Sequence, residues 1–193
     1  GNVGLKTSYG RWPVSGIFPL SPTLDTAGIL TRSVADTVTA FSAIDPHQRS
    51  YGPRLAREIA RCTPADFVLG TGESALWDDC DPGISETVDE ALKTLGQAGV
   101  QTVSAALPEA APSIELLKVG SVVAAEIDEM LSSTAPQWRE TLDPVVSSRI
   151  RDGGSISASE YLHRRRRLRE LSRSATERFS SCQVMVSPTV AVS

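Results

Sequence analysis

Apolar positions recur at helical spacing along much of this 193-residue chain, but not along its first thirty-two residues. Val34, Val38, Phe41 and Ile44 mark one helix face. Ser33 stands at its N-cap with Asp36 three residues on, and Asp45-Pro46 ends it. Residues 47–64 read as loop, with a short turn over 55–61. The compact apolar run at 66–71 predicts a short buried strand closed by Gly70. Asp81-Pro82 then opens a helix whose face is Ile84, Val88, Leu92 and Leu95, with Gly99 as its stop. Residues 100–107 form the next strand. Strand, helix and strand in this order predict a right-handed βαβ crossover with parallel strands.

Further along, residues 112–131 predict one helix with Ile114, Leu117, Val122 and Ala125 inward. Its acidic cluster, Glu126, Asp128 and Glu129, is expected on a solvated face. Leu142, Val146 and Ile150 mark another amphipathic segment, preceded by Trp138 and broken at Gly153-Gly154. Ser157 and Glu160 form a capping box for the longest helix, which runs to about residue 180 with Tyr161, Leu168, Leu171, Ala175 and Phe179 as its core stripe. Residues 183–189 close the pattern as a strand ended by Pro188. Alternating strands and helices place the chain in the α/β class, as one domain.

The opening segment, residues 1–32, has neither a helical period nor clean alternation. Leu5, Trp12, Val14, Ile17, Phe18 and Leu20 make it too apolar for a solvated linker. The residues predict an ordered, partly buried walk after a strand ending near Ser8, with turns at Gly10 and Gly16 and stiff extended steps at Pro13, Pro19 and Pro22.

Composition narrows the function classes. Forty per cent hydrophobic and twenty-two per cent charged residues describe an ordinary globular chain, and a net charge of −4 gives no general attraction to nucleic acid or anionic membrane. No apolar run reaches the roughly eighteen residues of a membrane span. The three cysteines, Cys62, Cys80 and Cys182, lack C-x-x-C spacing and fit a reduced, cytoplasmic protein. His163-Arg164-Arg165-Arg166-Arg167 points around a whole helix rather than to one face, so it reads as solvated helix surface. Gly70-Thr71-Gly72 is followed by acidic residues that would repel a pyrophosphate, which disfavours a nucleotide site. Two histidines and three scattered cysteines give no metal-ligand spacing, and no cofactor is expected.

Gly4-Leu5-Lys6, Tyr9-Gly10-Arg11, the run from Gly16 through Gly28, and Arg32-Ser33-Val34-Ala35-Asp36 resemble the amidase signature family, Ser hydrolases that cleave carboxamides. The family pattern G-L-K-P-T-x-G-R, then G-x-x-P-x-x-x-S-x-D-x-x-G-P-x-A-R-[ST]-V-x-D, is met with its spacing. Thr7 and Ile29 depart from it where the family usually has Pro, at positions expected in loop-like turns. Tyr161-Leu162 to Arg167 and the closing Val-Ser-Pro-Thr are similar to the family's later helix and strand. The resemblance implies a layered α/β/α fold with a mixed, partly parallel sheet. It also implies a Ser nucleophile in a G-G-S-[IV]-R motif, with a bridging Ser and a Lys, all upstream of Gly1.

Residues 1–193 are thus expected to be a partial amidase domain without the catalytic residues. Lys93 and Lys118 fall within helices, Lys6 matches the non-catalytic lysine of the motif, and neither His47 nor His163 has a nucleophile-elbow context. Tyr9, Trp12 and Ile17 are the expected substrate-binding contributors for a small-molecule amide, and Arg11 and Asp25 are expected to brace loops. The span alone is expected to be inactive. An amidotransferase subunit of the same family, or a non-catalytic remnant that self-associates as a homodimer through exposed sheet edges, are the alternatives.

Overall fold

The computed structural model describes residues 2–47, 52–72, 75–77, 80–118, 121–151 and 153–190. Strand β1 (Val3–Lys6) pairs antiparallel with β2 (Gly28–Thr31), Val3 opposite Thr31 and Lys6 opposite Gly28. The irregular walk therefore ends in a strand that the sequence pattern did not mark, and Ile29 lies in that strand rather than in a turn. Gly10 and Gly16, at φ 77° and 85°, adopt the left-handed turns expected of them, a conformation open to glycine at no steric cost.

Helix α1 (Val34–Ile44) begins as predicted. The Ser33 hydroxyl oxygen accepts from the Asp36 N–H at 3.1 Å, and the helix stops at Asp45. It packs against both strands of the β1–β2 pair. Helix α2 (Gly52–Ile59) replaces the shorter turn expected over 55–61.

Strand β3 (Val68–Thr71), helix α3 (Ile84–Gln97) and strand β4 (Gln101–Ser104) form the predicted crossover unit, with β3 and β4 parallel and Val68 opposite Gln101. The final strand β5 (Val184–Met185) joins the other side of β3, also parallel, so the sheet order is β4-β3-β5. In this sheet the predicted nucleus of each strand is right and its length too generous, by two residues at the start of β3 and by one or more at each end of β4 and β5. Backbone pairing covers only the central residues of each apolar run.

The helix expected over 112–131 is two helices, α4 (Ala110–Leu117) and α5 (Val122–Ser133). Ser121 restarts the second one: its hydroxyl oxygen accepts from the Ala124 N–H at 3.1 Å, the side-chain satisfaction that an N-terminus requires. Residues 119 and 120 lie outside the described residues. Helix α6 (Pro144–Arg151) leads through a short 3₁₀ turn at Gly153–Ser155 into α7 (Ala158–Glu177), capped by Ser157 as predicted.

Helix α5 is the centre of the helical layer, in contact with α4, α6 and α7. Ile127, Met130, Leu131, Ala135 and Ile150 form its buried core, with Leu142 packed on them. Gly153 lets the turn after α6 sit directly on this helix, because a Cβ there would lie 2.2 Å from the Ala124 carbonyl carbon. Several positions expected inward are not buried: Ile114, Leu117, Val146 and Phe179 keep a third or more of their surface exposed. Among the described residues, no helix is long and apolar enough to cross a membrane.

Candidate active-site wall

From the end of β1 to the start of β2 the opening segment runs through turns without a ladder of its own, so its polar groups need partners elsewhere. Carboxylates provide them. Asp45, fully buried at the end of α1, takes a bidentate pair from Arg11 (Nε to Oδ2 2.6 Å, Nη2 to Oδ1 3.2 Å) and the Trp12 indole N–H at 2.9 Å. The His47 backbone N–H adds a further bond to Oδ1 at 2.9 Å. Burial opposes ionisation of Asp45, but these donors outweigh it and hold its pKa down at about 2. Phe41 completes the anchor, with the Trp12 ring centroid at 5.8 Å and the Arg11 guanidinium carbon 5.3 Å from its ring.

Asp25 closes the next turn upon itself. Its two oxygens accept from the Leu20 and Ser21 N–H groups at 3.0 Å each, while the Ser21 carbonyl accepts from the Leu24 and Asp25 N–H groups. The bracing expected of Arg11 and Asp25 is therefore present.

Glu126 is the correction. It was expected on a solvated face with Asp128 and Glu129. Instead its carboxylate accepts from the Ser21 hydroxyl at 2.6 Å, the Thr23 N–H at 3.0 Å, the Thr23 hydroxyl, and the Tyr161 hydroxyl at 2.6 Å. Burial pushes its pKa up, the four donors more than compensate, and the net shift is downward. The Tyr161 phenol moves the other way, raised by burial and by donating to a carboxylate. Asp128 also departs from a solvated role, since Arg139 bonds both its carboxylate (2.7 Å) and its carbonyl oxygen (2.8 Å). Only Glu129 is simply exposed.

Two cavities flank α5, and the opening segment walls both. The more polar of the two, of about 1250 Å³, is lined by Lys6, Tyr9, Glu126 and Arg165 together with apolar residues such as Leu24 and Leu168. An apolar one of about 770 Å³ lies against the opposite side of the helix, lined by Phe18, Leu20, Ile127, Trp138, Leu142 and Arg149, among others. Phe18 stacks on Trp138 with centroids 5.4 Å apart. The apolar positions that periodicity placed inward but that remain accessible, Leu117 and Val146, also line this second cavity. A volume of this size with apolar walls and few polar groups suits a small organic ligand. Arg149 stands on its wall with no carboxylate in ion-pair distance among the described residues, whereas Lys118 is paired with Glu115.

The sequence-predicted contributors are dispersed. Tyr9 is 63% exposed, lines the polar cavity and donates its hydroxyl to the Pro22 carbonyl at 2.8 Å. Trp12 is only 5% exposed, lines neither cavity and is held by Asp45. Ile17 is 54% exposed and lines neither cavity, although its neighbour Phe18 lines the apolar one. Sequence reasoning missed Glu126, Trp138 and Arg149. The S-x-T pattern at Ser21 and Thr23 offered a pair of donors, but nothing local pointed to an acceptor more than a hundred residues away.

Among the described residues no lysine hydrogen-bonds a serine hydroxyl: Lys6 Nζ donates to the Thr7 carbonyl at 3.0 Å and Lys118 to Glu115. No group of His, Cys, Asp and Glu suited to a metal ion occurs among the described residues either.

Known proteins share both the sequence and the architecture. The family model described as Amidase matches residues 1–193. The chain is 38% identical to 2-amino-5-chloromuconic acid deaminase of Comamonas testosteroni over 193 residues, all of this chain and 41% of that protein. It is 37% identical to mandelamide hydrolase of Pseudomonas putida over 109 residues, 56% of this chain and 20% of that one. Among solved structures, one described as a crystal structure of amidase superposes with a TM-score of 0.76 at 21% identity, over 98% of this chain and 42% of that chain. A vestigial protein complex, described as revealing the evolutionary origins of an s-triazine catabolic enzyme, superposes at 0.78 with the same identity and coverage. The chain thus spans about two fifths of the length of the deaminase and of the two solved structures, and its match to the mandelamide hydrolase covers one fifth of that protein. With the signature segment ordered between its carboxylate anchors and the family match running from end to end, the chain belongs to the amidase family.

Proposed function

We propose that residues 1–193 form part of an amide hydrolase and wall the substrate site of a Ser acyl-enzyme reaction whose nucleophile lies upstream of Gly1. In this reaction the Ser oxygen attacks the carboxamide carbonyl carbon, the C–N bond breaks, and ammonia or an amine leaves carrying the proton that the nucleophile gave up. Water then cleaves the acyl ester and releases the acid. Relatives whose names state a deaminase and an amide hydrolase support this class. The span itself contributes shape and no reacting atoms, so residues 1–193 alone are inactive in this reading.

The observation that carries the proposal is the placement of the signature segment, whose Phe18 and Leu20 wall an apolar cavity opposite Trp138 and Leu142. A flat, unsaturated acyl group would lie along the Phe18–Trp138 pair, and Arg149, which has no carboxylate in ion-pair distance among the described residues, would favour a carboxylate on that group. In this reading Tyr9 contributes from the wall of the other cavity, and Ile17, beside Phe18, and the buried Trp12 hold the segment that carries the apolar wall.

The test is ammonia release by the full-length protein. We expect hydrolysis of arylacetamides and of unsaturated amido acids, and no release by residues 1–193. A full-length protein inert towards every such amide would overturn the assignment, and activity from the span alone would overturn the location of the nucleophile.

A glutamyl-tRNA(Gln) amidotransferase component of Akkermansia muciniphila is 28% identical over 225 residues, which keeps an amidotransferase role as the second reading. It is the weaker one. Arg164 and Arg167 are paired with Glu160 and Glu170, so the arginine run does not present an unbroken basic face to tRNA.

A further inference from the structure

We propose that Glu126 is a positioning residue for the substrate wall: it holds residues 20–25 in place through three hydrogen bonds, with a fourth from Tyr161, and does not itself meet the substrate. This rests on the amide-hydrolase reading only for its consequence in catalysis.

An ionised carboxylate has about four lone-pair directions. On Glu126, Oε1 takes the Thr23 and Tyr161 hydroxyls, and Oε2 takes the Ser21 hydroxyl and the Thr23 N–H. Its acceptor capacity is used up, so neither oxygen is available as a base or as a ligand for substrate. Three of the four donors belong to Ser21 and Thr23. Ser21 is the knot of that turn, 1% exposed, with its N–H on Asp25 and its carbonyl receiving the Leu24 and Asp25 N–H groups.

Asp25 ties the turn to itself, but only Glu126 among these carboxylates ties it to α5, and through Tyr161 to α7. Leu20, next to Ser21, lines the apolar cavity, and Phe18 two residues earlier stacks on Trp138. On the other cavity, the Tyr9 hydroxyl bonds the carbonyl of Pro22 within the same turn. Releasing Glu126 therefore loosens the wall of both cavities while leaving every apolar contact of α5 in place.

Glu126→Gln in the full-length enzyme tests this. The amide offers one acceptor oxygen, and its NH₂ must confront either the Thr23 N–H, which cannot accept, or the two hydroxyls. We expect amide hydrogen exchange over residues 20–25 to accelerate about tenfold or more, with residues 68–71 and 101–104 unchanged. KM for an arylacetamide should rise about tenfold with kcat little altered, while kcat/KM for acetamide, too small to reach the wall, stays within about threefold. Tyr161→Phe, which removes one donor of four, should shift the same readings in the same direction by about threefold.

Unchanged exchange over 20–25 would overturn the proposal, as would equal proportional losses on both amides, which would make Glu126 a general support of fold or chemistry. A wild-type enzyme that hydrolyses neither amide refutes the proposed activity, and the exchange measurement then decides the positioning role by itself.

Discussion

The segment between β1 and β2 and the β3–α3–β4 unit solve the same physical problem by different means. In the crossover unit, most backbone N–H and C=O groups pair with one another along the parallel ladder and within α3, and side chains serve the ends, Glu86 accepting from the Gly83 N–H at 2.9 Å and Gln183 from the Val68 N–H at 2.7 Å. Between β1 and β2 the backbone follows turns, and three carboxylates, Asp25, Asp45 and Glu126, collect its donors and those of its side chains. A regular element tolerates substitution, since its polar groups are satisfied locally. An irregular wall depends on a few distant acceptors, each of which serves several donors at once.

This contrast can be broken first where helix and turn meet. Gly153→Ala would put a Cβ 2.2 to 2.5 Å from backbone atoms of Ala124 and Ala125, and a helix backbone cannot yield as a side chain does. Urea denaturation should show a loss of roughly 3 kcal/mol or more, at the upper end for an overpacked site. A loss under about 1 kcal/mol would mean that the turn does not rest on α5.

The Asp45 anchor comes next. Its folded pKa, about 2, lies below its ordinary value of 3.8, so its stabilising effect is full above about pH 5 and fades as pH falls through 4 towards 2. Asp45→Asn should therefore destabilise the protein most near neutral pH, and the gap from wild type should close on acidification. A gap that stays constant down to pH 2 would detach the anchor from the charge of Asp45.

The smallest effect has the opposite sign. Gly96 lies inside α3, and a Cβ there would meet nothing within 4 Å. Gly96→Ala should stabilise by roughly 0.5–1 kcal/mol, through helix propensity alone. Destabilisation there would show that the crossover helix is less regular than its hydrogen bonding indicates.

Much of this architecture was legible along the chain because its causes are local. The Ser33 and Ser157 caps, the stop at Asp45 and the left-handed turns at Gly10 and Gly16 each depend on residues within a few positions of one another, and the parallel βαβ unit follows from the order of three consecutive elements. The family resemblance was legible for a related reason, since its motif lies in a single continuous segment and the match covers all 193 residues. The break between α4 and α5 was less visible, because the apolar spacing runs on across it and only the Ser121 cap marks the restart.

Apolar and polar order along the backbone dictates which residues can form a helix, a strand or a turn, and here it also carries the amidase signature. It does not dictate which donors an acceptor will meet once those elements are assembled. Glu126 on its helix has the same local pattern as a solvated carboxylate, and only the approach of Ser21, Thr23 and Tyr161, from 105, 103 and 35 positions away, makes it the fastening of the wall. Hydrogen bonds depend on distance in space and leave no period in the sequence, so the cavities and their supports belong to the assembled structure.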